Sequence, residues 1–86
     1  MKRLCIRFAK TEWSKLCGRK DYNVTIVRSC KTMNEAKAYL EGVCEAEVHL
    51  TEMHTITTGE SSVQIVVSDN IREYYTEFFW WISTED

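Results

Sequence analysis

The chain predicts an α+β fold: a four-stranded antiparallel sheet with one or two helices packed on one face, in the order β-β-α-β-β-α. Three observations carry that expectation. Leu4, Ile6 and Phe8, and later Val63, Ile65 and Val67, alternate with other residues, which is the period of a half-buried strand. Thr32-Met33-Asn34-Glu35 has the form of a capping box, in which hydroxyl and carboxylate each satisfy a backbone amide at a helix start. Behind it, Met33, Ala36, Tyr39, Leu40 and Val43 recur at helical spacing, with Asn34, Ala38, Glu41 and Glu45 on the other face.

Each element follows in order. The first strand, around Leu4–Phe8, carries Arg3 and Arg7 on its outer side. Residues 10–21 are polar around Trp13 and Leu16 and read as a long connection with one helical turn at 11–17. Residues 22–30 form the second strand, paired with the first as a hairpin. Gly42 either ends the helix as a left-handed cap or is tolerated near its last turn. Residues 46–57 read as the third strand, with a slip in alternation at Glu52-Met53 that predicts a bulge. Thr57-Thr58-Gly59-Glu60-Ser61 is turn chemistry, and Val63–Val67 completes a second hairpin. The last segment, 71–82, is open to two readings. Asn70 followed by Glu73 resembles a helix cap, which favours a helix. On a strand, Tyr74, Phe78, Trp80 and Ile82 would instead share one face.

With 86 residues, 44% of them hydrophobic, the chain suffices for one domain, 1–86, with a single modest core. The longest aromatic or aliphatic run, Phe78–Ile82, is far short of the roughly 20 residues of a membrane span. Arg3, Arg7 and Lys10 interrupt the N-terminal segment, which lacks the apolar stretch of a secretion signal. The expectation is a soluble, cytoplasmic protein without membrane association. Cys5, Cys17, Cys30 and Cys44 form no C-x-x-C pair, so reduced thiols and no metal site are expected. His49 and His54 are five apart, on opposite faces of a regular strand. No cofactor motif, phosphate-binding glycine loop or nucleophile–base pattern is legible, and no catalytic residues are assigned.

Charge is the most uneven property. Residues 1–31 hold nine of the eleven Lys and Arg with only Glu12 and Asp21, whereas residues 32–86 hold eleven acids with only Lys37 and Arg72. Such a split points to a charged macromolecular partner. Glu35, Glu41, Glu45, Glu47 and Glu52 form the candidate acidic face, able to dock on a basic groove. Trp13, in a polar segment, and Trp80, on the polar side of a C-terminal helix, are the candidate aromatic anchors, since tryptophan often dominates binding energy. Arg3, Arg7, Lys15, Arg19 and Lys20 form the alternative, a basic hairpin that holds phosphates beside a stacking ring.

A small chain with an acidic Glu35–Glu60 stretch, no catalytic signature and no targeting signal resembles, in general type, phage-encoded anti-defence proteins such as anti-CRISPR inhibitors. That resemblance rests on character and no motif. It implies a non-enzymatic inhibitor in the host-cell cytoplasm, with a larger host protein as partner: a nuclease or nucleic-acid-binding complex. The basic N-terminal block departs from a uniformly acidic duplex mimic. The second reading is a small nucleic-acid-binding regulator using the basic hairpin. Pairing of opposite charges between subunits adds self-assembly, so monomer and homodimer are both open.

Overall fold

Seven elements make up the structure, a computed structural model that describes residues 3–47, 54–69 and 73–85. They are β1 (Arg3–Ser14), β2 (Gly18–Asp21), β3 (Thr25–Cys30), α1 (Met33–Glu47), β4 (His54–Thr58), β5 (Ser62–Asp69) and β6 (Tyr74–Glu85). The strands form one six-stranded antiparallel sheet in the order β2-β1-β6-β5-β4, with β3 also paired to β1. β2 covers Thr11–Ser14 of β1 and β3 covers Leu4–Phe8, so one sheet edge is a composite of two short strands. The α+β class and the antiparallel sheet agree with the sequence. The count differs: six strands and one helix replace four strands with one or two helices.

The largest departure is β6. The segment expected as a helix over 71–82 is a strand from Tyr74 to Glu85, and Asn70 lies outside the described residues. β6 pairs with β1 along twelve residues, from Arg3↔Glu85 to Ser14↔Tyr74, and with β5 along eight. Backbone pairing on both sides, together with β-favouring Tyr, Phe and Trp, outweighs a local cap signal. The second departure is the length of β1. Residues 11–14, expected in a connection with a helical turn, continue the strand and pair with β2. Only Lys15-Leu16-Cys17 form the turn. Gly18 follows with φ +75°, the left-handed residue that a three-residue hairpin loop needs. The Ser14 hydroxyl accepts from the Cys17 amide at 3.0 Å.

The capping box forms with one change. The Glu35 amide donates to Thr32 Oγ1 at 3.2 Å, but the Glu35 carboxylate accepts from the Lys31 amide, one residue before Thr32. The helix runs through Gly42 to Glu47; residues 48–53, including the bulge expected at Glu52-Met53, lie outside the described residues. A bulge occurs instead in β3, where the register with β1 shifts between Ile6 and Arg7 and Val27 is the extra residue.

α1 packs on one face of the sheet. Ala36 and Leu40 are buried against Ile6, Cys30, Val63, Ile65 and Val67, with Leu4, Tyr39, Val43, Phe78, Trp80 and Ile82 closing around them. Strand parity explains the selection: even positions of β1 and β6 and odd positions of β5 point to the helix. Gly59 shapes the β4–β5 turn, its amide donating to the Ser62 carbonyl at 2.8 Å.

Candidate functional site

Opposite α1, the alternate residues of the same strands form the other face; Cys5 on it is fully buried, and no described helix or strand packs over the remainder. Across β1 and β6 the register sets Arg7 beside Trp81, Ala9 beside Phe79, Thr11 beside Glu77 and Trp13 beside Tyr75. β5 adds Gln64 beside Phe79 and Val66 beside Glu77. The rings lock together in pairs. Trp13 stacks on Tyr75 with centroids 5.6 Å apart, and Phe79 tilts against Trp81 at 5.3 Å. All four remain partly open to solvent. Aromatics held this way present large amphipathic surface with little side-chain freedom left to lose.

Trp80 does not belong to this face. As a strand residue it points to the helix side, half-buried, with its ring 4.9 Å from Phe8 and 6.1 Å from Phe78. Its expected place on a polar helix face falls with the helix, and Trp81 takes the outward position. Trp13 is 36% exposed and stands at one end of the open aromatic face. Trp81, Phe79 and Tyr75 were missed because helical spacing was applied to 71–82. Period-two parity through Tyr74–Ile82 is the signal that separates them from Tyr74, Phe78, Trp80 and Ile82.

Two ion pairs lie within the basic N-terminal block and two bridge it to the acidic remainder, Lys15 with Glu73 and Arg28 with Glu35. Lys10 Nζ pairs with Glu12 at 2.9 Å, Lys15 Nζ with Glu73 at 3.1 Å, Arg19 Nε with Asp21 at 3.1 Å, and Arg28 Nη2 approaches Glu35 at 3.9 Å. Antiparallel pairing of β6 on β1 brings C-terminal acids back to the N-terminal cations. Glu73, at φ 52°, holds Lys15 twice, its carbonyl accepting from the Lys15 amide at 3.1 Å. Hydrogen bonds from Lys10 and Tyr22 lower the Glu12 pKa, and those from Thr11 and Arg19 lower that of Asp21. The bond to Glu12 in turn raises Lys10. Lys20 rests over the Tyr22 ring at 4.7 Å.

The five residues of the basic alternative therefore do not form one patch. Lys15, Arg19 and Lys20 cluster at the hairpin tip, the first two ion-paired. Arg3 and Arg7 lie toward the other end of β1, Arg7 seven residues from Ser14, or roughly 23 Å along a strand. The candidate acidic residues divide as well. Glu35 is engaged by the Lys31 amide and Arg28. Glu41 and Glu45 are exposed on the outer face of α1, Glu47 is its last residue, and Glu52 lies outside the described residues. Glu41 also shares a shallow cavity of about 280 Å³ with Lys37, Thr58 and Glu60. The exposed helix positions Asn34, Lys37, Ala38, Glu41, Gly42 and Glu45 include no aromatic. The acids of α1 and the uncovered rings are thus on opposite sides of the sheet.

Burial pushes the Cys30 and Cys44 thiols above their ordinary pKa, which disfavours the nucleophilic thiolate. Among the described residues, no group of three or more His, Cys, Asp and Glu could hold a metal ion. His49 lies outside them and His54 opens β4. No described helix is long and apolar enough to cross a membrane. Comparison with protein-family models, with curated proteins and with solved structures gave no match.

Proposed function

We propose that this chain is a non-enzymatic interaction protein, an inhibitor that docks on a larger nucleic-acid-handling protein such as an RNA-guided nuclease. One observation carries the reading: a sheet face bearing Trp13, Tyr75, Phe79 and Trp81 that no described element covers. Aromatic residues and arginine are the side chains that anchor protein interfaces, and Arg7 lies beside Trp81 on this face. The two ring pairs, with Thr11 and Glu77 between them, leave apolar surface that is otherwise a liability for solubility. Glu41, Glu45 and Glu60 are exposed and supply a longer-range field. That field steers the molecule toward a basic partner without being part of the contact.

Arg7 beside Trp81 also supports the second reading, a sheet face that stacks single-stranded bases. The ion pairs at the hairpin tip weigh against it, because paired cations displace fewer counterions. Two titrations separate the readings. Labelled single-stranded DNA and RNA are titrated with the protein across salt concentrations, and a panel of RNA-guided nucleases is assayed with and without it. The inhibitor reading expects loss of cleavage by one nuclease and no nucleic-acid binding by the isolated chain. Tight binding that weakens steeply with salt, without inhibition, would overturn it in favour of the regulator.

A further inference from the structure

We infer that the sheet edge running from Asp21 to Ser29, which includes most of β3, is a self-association surface on which a second copy of this chain adds the same segment, antiparallel, to continue the sheet. Among the described residues β3 pairs with β1 alone. Its other side carries a row of backbone N–H and C=O groups, which only water or another strand can satisfy. The apolar surface gathers along the same edge. Tyr22, Val24, Ile26 and Val27 are four of the seven exposed large hydrophobics among the described residues. Tyr22–Val27 contains no charge, no proline and no glycine, so it lacks the charged or proline gatekeepers that protect sheet edges. The bulge at Val27 is the one blunting device present. The opposite edge, β4, is five residues long with three threonines, and Ile56 on it is half-buried.

A strand satisfies this edge, and geometry favours the chain's own. An antiparallel two-fold perpendicular to the sheet keeps each face on its own side, so residues brought opposite must share a face. An axis through Thr25 meets that condition. Tyr22 lies on the helix side, its amide donating to the Lys10 carbonyl and its ring under Lys10 Nζ. Arg28 lies on the same side, opposite Ile6 and over Tyr39. The axis sets Tyr22 of one copy against Arg28 of the other, a ring against a cation. Val24 falls against Ile26, Asp21 against Ser29 and the bulged Val27 against Asn23, pairs without like charges. Lys10 and Lys20 already flank the Tyr22 ring, so Arg28 joins them at an electrostatic cost that salt reduces. So short a seam buries less than a standard interface, which makes the dimer weak and concentration-dependent. Both open aromatic faces then lie on one side of the continuous sheet, giving a bivalent docking surface. The seam itself does not depend on the inhibitor reading.

Sedimentation velocity of the 86-residue chain over a wide concentration range, at low and high salt, tests this. The expected mass rises from 10.1 kDa toward twice that value, and salt does not abolish the rise. The double variant Val24→Lys/Ile26→Lys, at two exposed positions, shifts the midpoint at least tenfold upward with an unchanged circular dichroism spectrum. Should that variant not fold, amide exchange of the unaltered chain at two concentrations decides: amides 24–28 gain protection as concentration rises. A monomer up to ~1 mM, where association free energy is only about −4 kcal/mol, overturns the proposal. So does association abolished by salt or untouched by the substitutions, or exchange at 24–28 that is independent of concentration.

Discussion

The two faces of the sheet are built from the same strands and differ only in parity. On the helix side, Ile6, Val63 and Ile65 are shut away under Ala36 and Leu40. On the other, Trp13, Tyr75, Phe79 and Trp81 close only on each other, in pairs. The first set stabilises through complete removal from water, the second through ring contacts that leave area to spare. Similar hydrophobicity is thus withdrawn from water on one side and left partly open on the other, where the proposed role is recognition.

Substitutions separate the two roles. The largest loss of stability is expected from Ile65→Ala or Leu40→Ala, about 2–4 kcal/mol each by cavity formation, measured by urea unfolding. Phe79→Ala or Trp81→Ala should cost only about 1 kcal/mol, the scale of a cross-strand aromatic pair, while weakening partner binding at least tenfold. A loss on the open face equal to that at Ile65 would mean that the two faces share one role. Thr32→Ala removes the cap acceptor of α1 and should cost about 1 kcal/mol. Gly18→Ala, which forces a Cβ into a left-handed turn residue, should cost a similar amount. Neither should alter binding, because both lie off the open face.

The smallest effects are electrostatic. Glu12 and Asp21 have pKa values lowered from their ordinary 4.5 and 3.8. A depressed folded pKa gives stability that is present above the unfolded value and lost as pH falls through the folded one. Lys10, raised from 10.5, gives stability present below that value and lost as pH rises through the folded one. The Cys30 and Cys44 thiols, raised from 9.0 by burial, act in the same direction as Lys10 and at lower pH. Unfolding midpoints should therefore be flat from about pH 5 to about pH 8 and fall modestly outside that range. The ion pairs are exposed, so high salt should flatten their part of the dependence. Reversing Glu41 and Glu45 to Lys should stabilise α1 by about 0.3 kcal/mol, since no base occupies its last turn. The same change should slow association with a basic partner and leave dissociation nearly unchanged.

The helix-side core was legible because its signal is local. Alternation at Leu4–Phe8 and Val63–Val67 and the Thr32 cap state both element and buried face. The open face was not, because Trp81 and Phe79 owe their direction to pairing of β6 with β1 and β5, contacts far apart in sequence. A local Asn70–Glu73 cap signal pointed the other way, and propensity alone does not arbitrate between aromatic helix and aromatic strand. The charge split was plain in the sequence, but the long-range pair that bridges it was not. Glu73 meets Lys15 only once β6 has folded back along β1. Trp13 stands out in the sequence as a ring in a polar stretch, but its place is in a strand, stacked on Tyr75, and not in a loop.

The open aromatic face is proposed to bind a macromolecular partner and to be dispensable for the fold. The most direct test is the Phe79→Ala/Trp81→Ala double variant in the RNA-guided nuclease assay, with its unfolding curve measured on the same sample. The unaltered chain is expected to inhibit, and the variant to remain cooperatively folded yet inhibit at least a hundredfold more weakly. Undiminished inhibition by the folded variant, or cleavage unaffected by either protein, would contradict it.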